Sequence, residues 1–110
     1  MHQSLNAPAD LATFEAHAGQ VADLLKALGN TRRLMVMCKL LEHPEMNVAT
    51  LARELGISQS ALSQHLAKMR AEGLVAFRRD SQTLWYRIAD PRCERLLATL
   101  YELYCKDTDR

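Results

Sequence analysis

A chain of 110 residues is long enough for one domain with a modest core, and 48% hydrophobic with 25% charged residues excludes a disordered polymer. No apolar run approaches a membrane span, and the start MHQSLNAPADLATFEAHAG lacks the basic and apolar regions of a signal peptide, so a cytoplasmic protein is expected. The net charge of +1 points to no nucleic-acid partner by itself, yet between Lys68 and Arg87 five basic residues (Lys68, Arg70, Arg78, Arg79, Arg87) face only Glu72 and Asp80.

Residues 1–9 are polar, contain Pro8 and are expected to form a flexible segment ahead of a single domain over 10–105, with 106–110 as a tail. Asp10 can N-cap a helix whose apolar positions Leu11, Phe14, Ala18, Val21, Leu24, Leu25 and Leu28 recur every three or four residues, with Gly29 as its end. Asn30 can cap a second helix over 31–41, broken beyond it by Pro44. Asn47 opens a short third helix that Gly56 stops. Ser58 caps a fourth over 59–72, and the pair joined by GISQ predicts a helix-turn-helix. LVAFRRD and LWYRIAD flank SQT as a β-hairpin, and Asp90 with Pro91 starts a last helix carrying Leu96, Leu97, Leu100, Leu103 and Tyr104. The order α-α-α-α-β-β-α is that of a winged helix-turn-helix, mainly α with a β-hairpin wing.

On a wheel of 3.6 residues per turn, Leu62, Leu66 and Met69 gather on one side of the fourth helix. Ser60, Ser63, Gln64, Ala67 and Lys68 gather opposite, with Gln59 at the leading end. Small and amide residues suit close approach to the major groove, where Gln bonds adenine bidentately and Ser serves phosphates or bases. A surface helix without a partner would more often carry mixed Glu and Lys. His65 lies at the border, open to a packed role or to a DNA contact. Arg78, Arg79 and Arg87 in the hairpin can neutralise phosphates, or simply blunt an exposed strand edge. Alternation sets Trp85 and Arg87 on one face of the strand and Leu84, Tyr86 and Ile88 on the other, as packing residues. So small a reader binds double-stranded DNA weakly as a monomer, which favours a dimer.

Cys38, Cys93 and Cys105 include no CxxC pair, and in a reducing compartment they argue against a disulfide framework. Buried hydrophobes, metal ligands and redox-active thiols all remain open. Taken singly, Cys38, on an apolar side of its helix, and Cys105 read as small buried residues. Cys105 also lies near a helix C-terminus, where the dipole disfavours a thiolate and Lys106 can offset it. Cys93 and Cys105 stand twelve residues apart, about 18 Å along one helix, and cannot grip one ion within a protomer. His2, His17, His43 and His65 are scattered without ligand spacing.

ISQSALSQHLAKMRAEGLV over 57–75, together with LGNTRRL ahead of the second helix and QTLWYRIADPR through the wing, resembles the ArsR/SmtB repressors. The likeness runs from about Leu24 to Cys105. It implies a homodimer seamed by the first and last helices, an inverted-repeat operator, and DNA contacts from Gln59, Ser60, Ser63, Gln64 and His65. The family's known metal sites are not kept: MNVATLAREL has no thiol pair, and DPRCERLLATLYELY keeps Asp90 without a histidine. No metal and no cofactor are therefore expected. RLMVMCKLL and LYELYC place Cys38 and Cys105 as in the sulfide-responsive branch exemplified by BigR and SqrR. That resemblance implies a redox-sensing dithiol acted on by reactive sulfur species; Cys93 has no counterpart in it and is read as structural or incidental.

The alternative within regulation is release by arsenite or another thiophilic ion at the same cysteines. An enzyme reading, a thiol oxidoreductase or sulfur carrier, is opposed by the missing CxxC and by the DNA-reading face. A partner-binding dimer with no operator is the remaining class.

Overall fold

The computed structural model describes residues 8–105; the expectations for residues 1–7 and for the tail 106–110, Lys106 included, lie outside them. The elements are α1 (Pro8–Ala16), α2 (Ala18–Leu28), α3 (Thr31–Glu42), β1 (Met46–Asn47), α4 (Val48–Leu55), α5 (Gln59–Ala71), β2 (Val75–Asp80), β3 (Thr83–Ile88) and α6 (Pro91–Tyr104). The expected winged helix-turn-helix is present, with two refinements.

The first is a break at His17 in what the apolar spacing presents as one helix. His17 leaves helical geometry at φ −104°, ψ 5°, and its N–H bonds the Phe14 carbonyl at 2.9 Å, a tighter turn than the α-helical one. Its Nδ1 lies 3.0 Å from the Thr13 carbonyl, a contact the Nδ1–H tautomer donates. Asp10, expected as an N-cap, falls instead in the first turn of α1. The second refinement is β1, which adds a third strand to the hairpin in the antiparallel order β1-β3-β2.

The remaining caps are those the sequence predicts. Asn30 accepts from the Arg33 N–H at 3.1 Å, Asn47 from Thr50 at 2.8 Å, Ser58 from Ala61 at 3.0 Å and Asp90 from Arg92 at 2.9 Å. Each removes an orphan donor at a helix start, an effect of about 1 kcal/mol. Gly56 closes α4 at φ +70°, and the Ile57 N–H reaches back to the Ala52 carbonyl at 3.1 Å. That left-handed residue turns the chain sharply enough to start α5 three residues later.

The core gathers around α3, which touches α2, α4, α6 and β3. Val36, Met37 and Leu40 meet Leu51 of α4, Leu62, Leu66 and Met69 of α5, Tyr86 of β3, and Cys93 and Leu97 of α6. Leu62, Leu66 and Met69 are fully buried, as the wheel requires. Truncating one of them to Ala costs about 2–5 kcal/mol. This packing fixes the opposite face of α5 as the outward one.

Candidate DNA-reading surface and thiol pair

Ser58 holds the N-terminus of α5, and the buried stripe fixes its rotation. Gln59, Ser60, Ser63, Gln64 and Lys68 are accordingly all exposed on one outward surface, and His65 is half-buried at its margin. Among the described residues none makes a hydrogen bond or ion pair with the side chains of Gln59, Ser60, Ser63, Gln64 or Lys68. Such a surface offers amide and hydroxyl groups with no internal claim on them.

The wing arginines do not act as one group. Strand pairing of Phe77 with Tyr86 and of Arg78 with Trp85 sorts the side chains onto two faces. Phe77 and Tyr86 pack at a centroid distance of 5.3 Å on the core side, where the Arg70 guanidinium lies 4.6 Å over the Phe77 ring. Burial pushes the Tyr86 hydroxyl pKa up, against the opposing charge of Arg70. Arg79, opposite Leu84, belongs to this side but stands exposed near the tip. Arg78, Arg87 and Trp85 share the other face, as the alternation predicts for Trp85 and Arg87.

Arg78 is engaged by Glu45, which sequence reasoning missed. Arg78 Nε lies 2.9 and 3.1 Å from the two carboxylate oxygens and Nη2 lies 3.0 Å from one of them, a bidentate pair. The Arg78 hydrogen bond holds the Glu45 carboxyl below its ordinary pKa, and Arg87 adds to that field. The available signal was slight: Glu45 directly precedes a strand of two residues, too short to show alternation.

Cys38 and Cys105, read singly as buried, are both exposed in the protomer, because Cys38 faces away from the α3 core stripe and Cys105 caps the far end of α6. Cys93 is the buried thiol, fully enclosed by the core. α3 packs against α6, and Cys105 lies near enough to act on the Cys38 thiol. The Cys38 thiol is pushed up first by partial desolvation, then by Cys105 and by Glu42. Each of these effects disfavours the thiolate, the form that reacts.

Several large apolar side chains also stand exposed in the protomer. Leu11 and Phe14 of α1, Leu25 of α2, Met35 of α3, and Tyr101, Leu103 and Tyr104 of α6 are all exposed. Among the described residues no helix is long and apolar enough to cross a membrane, and no group of three or more His, Cys, Asp or Glu side chains is placed to hold a metal.

Residues 30–76 match the family model described as bacterial regulatory protein, arsR family. The transcriptional activator HlyU of Vibrio cholerae is 41% identical over 100 residues, spanning 91% of this chain and 92% of that protein. The crystal structure of the transcriptional repressor BigR from Xylella fastidiosa superposes with a TM-score of 0.78 at 37% identity, covering 86% of this chain and 95% of that one. The homodimeric winged helix-turn-helix DNA-binding domain Mb0332 from Mycobacterium bovis gives a TM-score of 0.73 at 32% identity over 86% of this chain and 87% of that one. These relatives are regulators of transcription or DNA-binding domains, and none is an enzyme. The chain belongs to the arsR family of bacterial regulatory proteins: it is a DNA-binding transcriptional regulator with a winged helix-turn-helix fold, and not an enzyme.

Proposed function

We propose that the protein is a homodimeric repressor whose affinity for an inverted-repeat operator is set by the oxidation or persulfidation of Cys38 and Cys105. The observation that carries this reading is geometric: α3, which bears Cys38, packs against α6, which ends at Cys105, and both thiols stand exposed in the protomer. The likeness to the repressor BigR supports the sign of regulation. The homodimeric M. bovis domain and the exposed apolar side chains of α1, α2 and α6 support the assembly.

In this reading α5 enters the major groove with Gln59, Ser60, Ser63, Gln64 and His65 toward base edges and Lys68 toward phosphate. Arg78, Arg79 and Arg87 act from the wing on flanking phosphates. A thiolate attacks the terminal sulfur of a polysulfide or persulfide, forming Cys–S–SH and expelling the shortened donor as a thiolate. The second thiolate then attacks the cysteine sulfur of that persulfide, closing a disulfide and releasing hydrosulfide. If both cysteines are persulfidated first, the same attack leaves a longer sulfur bridge with hydrosulfide again the leaving group. Either bridge ties α3 to α6 and favours one dimer geometry over the DNA-binding one.

The test replaces each thiol by serine. Cys38→Ser and Cys105→Ser should each bind operator when reduced and stay bound under polysulfide that releases the unmodified protein. Release of both variants at the wild-type dose would remove the dithiol from the account.

A further inference from the structure

The wing carries less positive charge than its arginines suggest. Arg78, Arg79 and Arg87 contribute three positive charges, and Glu45 with Asp80 takes back two, leaving +1. Glu45 is not a loose surface acid. The register Met46 to Tyr86 and Asn47 to Trp85, continued by one residue, sets Glu45 across from Arg87 and on the face that holds Arg78. Its backbone is anchored by β1, and Asn47, two residues on, caps α4. The carboxylate fills Nε and Nη2 of Arg78 with the two-oxygen geometry that a DNA phosphate would use. The Arg78 guanidinium also lies 5.7 Å over the Trp85 ring, which holds it in that pose.

We propose that Glu45 is a specificity-determining residue for DNA binding: an internal competitor that occupies Arg78 in place of phosphate. Association with arbitrary DNA is driven by phosphate neutralisation alone, with no fixed register. A loosely placed phosphate cannot match a bidentate carboxylate already on the guanidinium, so Arg78 contributes nothing there. On an operator, base contacts from α5 fix the register and present one phosphate to Arg78 in constant geometry, where the exchange becomes favourable. Glu45 thus lowers affinity for DNA in general more than for the correct site. The proposal rests on the reading of Arg78 as a wing contact given above.

Fluorescence anisotropy on the full-length reduced dimer tests it, using the duplex that the unmodified protein selects from a random library and a scrambled duplex of equal composition. Glu45→Gln keeps the side-chain shape and removes the competing charge. It should bind the scrambled duplex roughly two- to fivefold tighter, the scale of one exposed ion pair released. The slope of log K against log salt should steepen by about 0.9, one phosphate more. The gain on the selected duplex should be smaller, and both gains should vanish in the Arg78→Ala background. Glu45→Asp, too short to hold both nitrogens, should fall between, which guards against a folding artefact in either variant. If Arg78→Ala weakens binding while Glu45→Gln leaves it unchanged or weakens it too, Glu45 positions Arg78 and the proposal fails with the wing contact intact. If Arg78→Ala changes neither duplex, the wing contact itself is wrong and the proposal falls with it.

Discussion

Arg33 Nη1 lies 2.8 Å from Glu72 Oε1 and donates to the Ala27 carbonyl at 3.2 Å, so one guanidinium joins the end of α2, the start of α3 and the end of α5. The Arg33 side chain is only 12% exposed, whereas that of Glu72 is 40% exposed. Arg33→Ala removes the bond to an orphan helix carbonyl as well as the ion pair, and should cost about 1–3 kcal/mol. Glu72→Gln removes only a half-solvated charge and should cost no more than about 1 kcal/mol. Urea unfolding of the two variants checks the order, and an equal cost for both would contradict it.

The turn between α4 and α5 depends on Gly56 at φ +70°, with open space where a Cβ would stand. Gly56→Ala therefore meets backbone strain and no clash, and should destabilise by about 1–2 kcal/mol. A lowered thermal midpoint with an unchanged far-ultraviolet spectrum is the expected result.

On α5, Gln64→Ala should weaken operator binding by about 1–3 kcal/mol and relax discrimination among operator variants. Lys68→Ala should weaken all DNA alike and flatten the salt slope by about 0.9. Both positions are exposed, so thermal stability should be nearly unchanged. Competition anisotropy with point-mutated duplexes separates the two behaviours.

The parts of this fold legible in the sequence are those with local causes. Asn30, Asn47, Ser58 and Asp90 stand immediately before periodic apolar runs and cap the helices that follow. The stripe of Leu62, Leu66 and Met69 fixes which side of α5 faces out. The break at His17 was hidden because the apolar spacing continues unchanged across a single non-helical residue. The Glu45–Arg78 pair joins positions 33 apart, and nothing local to either announces it. Amphipathic spacing also marked Leu11, Phe14 and Leu25 as residues needing cover without saying by what, and in the protomer they remain exposed. Two cysteines read singly as buried proved exposed, while Cys93, without a partner in the resemblance, is the buried one.

Burial, aided by Asp90 and Glu94, pushes the Cys93 thiol up from 9.0 to about 11. The unfolded chain loses this proton above about pH 9 and the folded chain keeps it to about pH 11, so the folded state binds more protons in that window. Its stabilising effect is complete below about pH 9 and is lost as pH rises, by up to about 3 kcal/mol. Cys93→Ala should cost about 1–2 kcal/mol at about pH 8 for the space it leaves. That deficit should shrink, or reverse, at about pH 10.5, as read by denaturant unfolding under reducing conditions. A deficit that stays constant across the two pH values would contradict the burial argument.

The proposed switch of Cys38 and Cys105 is tested by operator anisotropy on one sample, fully reduced and then treated with polysulfide, followed by intact mass and peptide mapping. Binding should fall about tenfold or more, the mass should change by the loss of two hydrogen atoms or by the gain of sulfur, and a Cys38–Cys105 linkage should be recovered with Cys93 unmodified. Full operator binding by protein that carries the linkage would contradict it.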